Sequence, residues 1–442
     1  MLLRKKITTS SSKLKRIMGI SLVLSLQVLA IGTVDLGQPA KSLTGYGKAE
    51  AAISLDVRNY GAKGNGITND TAAIQKAINA LPTTGGTVVI PPGTYMVDAV
   101  KSINLRSNTT LQMTPTSILK VIPNASDWSA VLKLYANTNA KVYSGTLLGD
   151  RSAHLGTSGE HGMGVSIRGG NGILVQGTAA NNMWGDGFYV ASDNNGNIPR
   201  NVQLIDVTAN NNRRQGISLI AGNNISIIRP RLTNTNGTEP AAGLDIEPNQ
   251  ITDTLQKISI VDPYTAGNQG AGIQIYLTKL TGSTVPVDIK ITNHVDDGSS
   301  RGFRSTATSM AHGSVVIDNP IWKNSKLNAF SVSNHDYRSY SITVNNPTVI
   351  NANTSGPTTS STTGAAFSIY NYKAGVLLGG VHINNAKITD TRSVSRTVGG
   401  FYVSDSLKQA IKQVSIVAPV INGKLLRPVL STSDTTNVKI QY

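Results

Sequence analysis

Apolar and polar residues alternate in short, regularly spaced runs over most of this chain. One column reads Ile173-Leu174-Val175, Val202-Gln203-Leu204, Ile225-Ser226-Ile227, Ile258-Ser259-Ile260, Val287-Asp288-Ile289, Val315-Val316-Ile317, Ile342-Thr343-Val344, Val381-His382-Ile383 and Val414-Ser415-Ile416. Successive runs begin 23 to 39 residues apart. A second column follows after a turn, at Gly164–Ile167, Gly187–Val190, Gly216–Leu219, Gly243–Ile246, Gly272–Ile275, Ala329–Val332, Ala366–Ile369 and Gly400–Val403. In an extended chain alternate side chains point to opposite faces, so each run has an inward pair and an outward middle residue. A coil this short cannot bury its own inward side. Stacked coils can, and they share one continuous core. Asn-Pro and Asp-Pro turns (Asp262-Pro263, Asn319-Pro320, Asn346-Pro347) and recurrent Asn residues between the columns fit such a stack. Stacked Asn side chains there can hydrogen-bond along its axis. The pattern predicts an all-β solenoid of about ten coils from residue 101 to 442. Residues 353–364 are low-complexity and read as a surface loop, and no second globular domain is expected.

The N-terminal third breaks this pattern. Asn69, Asp70 and Thr71 offer N-cap side chains to a helix whose Ile74, Ala77, Ile78 and Leu81 form one apolar face. Pro82 and Gly85-Gly86 end it, and short β-branched runs follow on either side of Pro91-Pro92-Gly93. One such helix cannot make a core, so residues 52–100 are expected to act as a lid on the solenoid.

This segment resembles the N-terminal module of the pectate-lyase-like (epimerase-like) right-handed parallel β-helix proteins. The resemblance rests on Asn59-Tyr60-Gly61-Ala62, Gly64-Asn65-Gly66, Asn69-Asp70-Thr71, Ile74-Gln75, Ala77-Ile78, Gly85-Gly86 and Pro91-Pro92-Gly93-Thr94-Tyr95. It implies a right-handed single-stranded parallel β-helix with an N-terminal helix cap. It also implies kinship with secreted polysaccharide lyases, hydrolases and epimerases, and with phage tailspikes. It names no reaction.

Composition narrows the class. The 442 residues contain no Cys, which excludes disulfides and thiolate metal sites. Arg4, Lys5, Lys6, Lys13, Lys15 and Arg16 precede an apolar run from Ile17 to Ile31, the form of a signal peptide. Residues 1–51 therefore read as a leader and the protein as secreted, with no stable membrane insertion after cleavage. The leader holds eight basic and two acidic residues, so the remainder keeps 32 and 22, a net +10. A basic exported protein favours an anionic polysaccharide as partner; no sequence feature of nucleic-acid binding is present.

Candidate chemistry lies on the outward positions of the second column: Ser166, Tyr189, Ser218, Asp245, Gln274, Ser331, Ser368 and Tyr402. Glu247 lies two residues beyond Asp245. Trp184, Asp186, Arg213 and Arg214 stand just before the strands of neighbouring coils. Asp186 and Asp245 fall two rungs, about 10 Å, apart. That is near the separation that leaves room for water in inverting glycoside hydrolysis. Asp186 with Asp245 or Glu247 is therefore the expected catalytic set, one acid protonating the leaving oxygen and the other activating water. A structural alternative has Asp186 capping a Gly turn and the other two acids paired with Arg213 and Arg214. Upstream, the 149–164 block carries Asp150, Arg151, His154, Glu160 and His161. It resembles a feature of some secreted and phage-borne β-helix proteins and could wall the same groove. With Trp184, Tyr189, Arg213 and Arg214, these five are the expected substrate-binding residues.

The chain departs from known catalytic sets. The paired Asp-Asp and Gly-His-Gly of polygalacturonases are missing at matching places. The Tyr-Gly-Phe-Asp-Pro-His of mannuronan epimerases has only Gly187-Phe188-Tyr189 as its nearest counterpart. Asp193–Asn197 superficially suggests calcium but reads as a turn, and no metal site is expected. Hydrolysis would need no cofactor; a lyase could use Ca²⁺. Two alternatives stay open: β-elimination or C5 epimerisation of a uronate, and a non-catalytic polysaccharide-binding or spike-like β-helix.

Overall fold

The computed structural model describes residues 53–306 and 310–442. The expected leader, residues 1–51, lies outside them. The described chain winds as a right-handed parallel β-solenoid of about 13 turns. Three parallel sheets of 14, 13 and 12 strands form its walls, and each takes every third strand of the chain through most of its length. All nine runs of the first predicted column fall in the 14-stranded sheet, and those of the second in the 12-stranded sheet. The additional turns lie mainly at the N-terminal end, where strands such as Thr109–Met113 and Ser117–Val121 precede the point at which the repeat becomes regular. No helix among the described residues is long and apolar enough to cross a membrane.

The core is a set of columns one rung apart. Val190, Leu219, Ile246 and Ile275 are mutually in register and fully buried. Phe303, Phe330, Phe367 and Phe401 form a second column, with centroid separations of 5.3, 5.6 and 5.1 Å. Turns between the 14- and 13-stranded sheets place one residue per coil in the left-handed region. Asn tolerates that region, and its amide can bond to the coil before. Asn293 donates to Asp262 (2.9 Å), Asn319 to Asn293 (3.3 Å), Asn346 to Asn319 (3.0 Å) and Asn385 to Asn346 (3.0 Å). The expected amide ladder is present.

The helix Thr71–Asn79 buries Ile74, Ala77 and Ile78, and Leu81 follows them into the core. It also satisfies an open sheet edge. The Gln75 amide donates to Asn104 O (3.1 Å) and accepts from Asn104 N (2.8 Å), as a neighbouring strand would. Arg106 donates to the carbonyls of Ile78, Asn79 and Leu81 at the helix C-terminus. One expectation fails. Asp70 does not cap the helix with its side chain; it accepts from Lys63 N (2.7 Å) and Gly64 N (3.0 Å), clamping the Gly-rich loop. Gly64 has φ +60, and a Cβ there would lie 2.7 Å from the Tyr95 ring, so the clamp needs glycine.

One buried polar chain crosses the interior. Trp322 Nε1 donates to His294 Nδ1 (3.1 Å), which leaves the proton on Nε2 facing Thr265 Oγ1 (2.8 Å); that hydroxyl donates to Asp296 Oδ1 (2.7 Å). Burial pushes the Asp296 carboxyl up to about 7. A folded-state value above the unfolded one favours the protonated form. The associated stability is therefore fully present below about pH 4 and is lost progressively as pH rises from there through about 7. Half-buried His161 and buried His294 and His335, each held low by desolvation, oppose this trend in the whole protein. A variant difference isolates it. Asp296→Asn is expected to melt at the same temperature as the parent at pH 3, where the carboxyl is protonated in both folded and unfolded states. At pH 8 it should melt higher, by up to about 4 kcal/mol of stability. Equal melting temperatures at pH 8 would show that the Asp296 carboxyl carries no such penalty.

Candidate active site

The outer face of the 12-stranded sheet carries one ladder in register: Lys133, Ser166, Tyr189, Ser218, Asp245, Gln274, Arg304, Ser331, Ser368 and Tyr402. Eight of these are the outward residues expected from sequence. Lys133 was missed because its coil lies upstream of the regular repeat. Arg304 was missed because its strand breaks the apolar rule. Ser305, not an aliphatic residue, is its inward neighbour, buried and bonded to Tyr340 OH (2.8 Å). The interval from Gly272 to Ala329, twice the usual spacing, was the available signal.

Asp186 and Asp245 were expected as outward acids. Both are instead buried, at 0% and 1% exposure, beneath the side chains of later coils. Asp186 stands in register with Gln215 and reaches forward to Ser218 Oγ (2.9 Å) and Arg214 Nη1 (3.1 Å) through Oδ2. Its Oδ1 has no hydrogen-bond partner. Burial pushes this carboxyl up to about 6, against the lowering pull of Arg214 and Ser218. Asp245 accepts from Gln215 Nε2 (3.1 Å) and Gln274 Nε2 (3.2 Å). Burial first, then the charge and hydrogen bond of neighbouring Glu247, hold it well above the usual carboxylate range. Asp245 thus favours its protonated form beside Glu247.

Arg214 joins these acids. It is buried, which alone would lower its pKa. Asp186, Asp245, Glu160 and Glu247 outweigh that and raise it. Glu160 Oε2 lies 3.2 Å from its Nε, and the Glu160 side chain is half exposed (51%). Above the cluster opens a cleft of about 440 Å³ lined by Glu160, Arg214, Glu239, Glu247, Gln274 and Arg304, among others. Asp186 and Asp245 lie beneath the residues that line it. Glu239 was not anticipated; it sits in a loop between sheets, where no periodicity marks it.

The 149–160 loop is built differently from expectation. Asp150 accepts from Asn124 N and pairs with His154 Nδ1 (2.9 Å), not with Arg151. Arg151 donates to Asn211 and Asn236, two and three coils away. His154 stacks on Trp184 (4.1 Å, 14°), and Arg213 covers that ring at 3.9 Å while donating to Gly159 O (2.7 Å). Asp150, Arg151, His154, Trp184 and Arg213 therefore hold the loop against the solenoid rather than line the cleft. His161 and Tyr189 form a separate group with Trp128 and Arg168. Burial first, then Arg214, push His161 down to about 4, and its Nδ1 is unpartnered. No group of three His, Asp or Glu among the described residues is arranged to hold a metal ion.

Fold and site together define a solenoid with an acid-lined cleft on one wall, as in carbohydrate-active β-helices. The chain belongs to the family described as Rhamnogalacturonase A/epimerase, pectate lyase-like, which matches residues 54–281. It is 24% identical over 283 residues to the Bacillus subtilis (strain 168) protein YclG, covering 57% of this chain and 47% of that one. It is 38% identical over 82 residues to an exo-poly-alpha-D-galacturonosidase of Dickeya chrysanthemi, covering 19% of this chain and 13% of that one. The chain thus spans less than half the length of either curated relative. Among solved structures, the A-module of the Azotobacter vinelandii mannuronan C-5 epimerase AlgE4 superposes with a TM-score of 0.61 at 15% identity. The match covers 85% of this chain and 97% of the module. That likeness is one of fold.

The stack over Trp184 yields a local prediction. Trp184→Ala removes the surface that His154 and Arg213 share, so the 149–160 loop should be cut by protease at least tenfold faster. Global melting should change little, because the solenoid core is untouched. An unchanged cleavage rate would show that the stack does not hold the loop.

Proposed function

We propose that the protein is an exported enzyme that hydrolyses an acidic polysaccharide in the cleft above Arg214. The observation that carries this reading is the Asp245–Glu247 pair, a raised-pKa carboxyl contact whose Glu247 end lines the cleft. Hydrolysis needs a carboxylic acid to protonate the leaving oxygen and a carboxylate to activate water. Glu247, which faces the cleft beside buried Asp245, acts as the acid. Glu160, half exposed and paired with Arg214, acts as the base. Asp186 cannot meet substrate from its buried position; it positions Arg214, which holds Glu160 beside the Asp245–Glu247 pair. This chemistry requires no metal. Membership of a rhamnogalacturonase/epimerase family and local similarity to an exo-poly-alpha-D-galacturonosidase support a polysaccharide substrate.

A second reading draws on one observation: His161 is held neutral with a free Nδ1 beside Arg168 and Tyr189. That group could abstract a proton α to a uronate carboxylate, giving elimination or C5 epimerisation. It is disfavoured because a nitrogen held near 4 is a weak base.

Glu247→Gln is expected to fold normally and to lower turnover by about 10² or more. Asp245→Asn should keep more activity than Glu247→Gln, because Asp245 is buried beneath the residues that line the cleft. His161→Asn should spare turnover. Full activity in Glu247→Gln, or its loss in His161→Asn, would reject hydrolysis at this pair.

A further inference from the structure

Between Ser166 and Ser368, the outward ladder has one exposed side chain, that of Arg304. Ser166 lies against Tyr135 OH, and Ser218 is bonded to Asp186. Ser368 Oγ is tied to Thr362 O of the 353–364 loop. A chain laid along this wall therefore meets the ladder at Arg304. The guanidinium also lines the cleft, beside Gln274, Tyr276 and Thr306.

Its position relative to the acids is set by a side-chain relay. Gln274 stands between Asp245 and Arg304 in register. Its amide nitrogen donates to Asp245 Oδ1 (3.2 Å), and its amide oxygen accepts from Arg304 Nη1 (3.4 Å). The Gln274 amide is thereby oriented, and Arg304 is held two rungs, about 10 Å, from Asp245. No carboxylate lies within ion-pair distance of Arg304 among the described residues. Arg301, three residues back on the same strand, lacks one too; its Nε is buried without a hydrogen-bond partner, and Arg304 lowers its pKa further after burial. Two guanidiniums thus stand on the C-terminal side of the acids without a counter-charge, whereas Arg214 pairs with Glu160 and Asp186. Such a cation, set in a cleft and without an intramolecular counter-charge, matches a planar anionic group.

We propose that Arg304, backed by Arg301 and oriented by Gln274, is a specificity-determining subsite that binds the acidic group of a sugar neighbouring the one cleaved. It rests on the placement of the reaction at the Asp245–Glu247 pair. The acids that line the cleft do not pair with it: Glu160 is bound to Arg214, and neither Glu239 nor Glu247 lies within ion-pair distance of Arg304. The shared ligand chemistry is an anionic substituent on a pyranose, either a carboxylate or a sulfate ester.

The test is equilibrium binding, which needs no turnover. Probes are an oligogalacturonide, its methyl ester, a sulfated oligosaccharide and a neutral one, offered to the parent protein, Arg304→Gln and Arg304→Lys. The parent should bind one of the two acidic probes at least tenfold more tightly than the esterified and neutral ones, with affinity falling as salt rises. Arg304→Gln should erase that preference and leave the weak binding of the ester unchanged. Arg304→Lys should restore part of it. Preference for the carboxylated or the sulfated probe identifies the group. A parent that does not prefer an acidic probe, or an Arg304→Gln protein that keeps the preference, overturns the proposal. Acid-selective binding through Arg304 without hydrolysis would instead leave the subsite standing and remove the proposed reaction.

Discussion

A side chain on the wall of a parallel solenoid does not choose its neighbours. Each coil lies in register on the one before, because its inward residues must continue the core columns and its backbone must close the ladder. A slip of one residue would turn Ile246 outward and Asp245 inward, burying an acid in an apolar column. The same register that stacks Val190, Leu219, Ile246 and Ile275 therefore puts Tyr189, Ser218, Asp245, Gln274 and Arg304 in line on the other face. The candidate site is a by-product of core packing, read one residue over.

That constraint brings acids together at a density that water-exposed groups would avoid. Asp186, Asp245, Glu160 and Glu247 come within electrostatic reach of one buried guanidinium. Arg214 cannot leave without exposing Asp186 to the full cost of a buried unpaired charge. Burial and the neighbouring Glu247 charge hold Asp245 toward its protonated form. Buried charge here maintains an acid and a base side by side, which is the condition hydrolysis requires.

The sheets were legible because Ile, Val and Phe alternate at every rung, and the lid helix because its apolar face is unbroken. The Asn ladder was legible because Asn-Pro marks left-handed turns. Burial of the acids was not. Alternation assigns Asp245 to the outer face, but coverage by Glu247, Gln215 and Gln274 depends on how far neighbouring coils' side chains reach. Arg304 was hidden by Ser305, a polar residue at an inward position that finds its partner, Tyr340, 35 residues away. The 149–160 block was misjudged for a related reason. Its charged and aromatic residues resemble a catalytic wall in composition, yet Arg151 and Arg213 have their partners on other coils, at separations that no local pattern reveals.

The central claim is that the carboxylates around Arg214 cleave glycosidic bonds with water. The most direct measurement incubates the protein with a polyuronate and follows two product ends at once, reducing ends by colorimetry and unsaturated ends by ultraviolet absorbance. Hydrolysis predicts reducing ends that accumulate with no rise in absorbance. Unsaturated ends appearing in step with reducing ends would contradict the account and move the chemistry to His161.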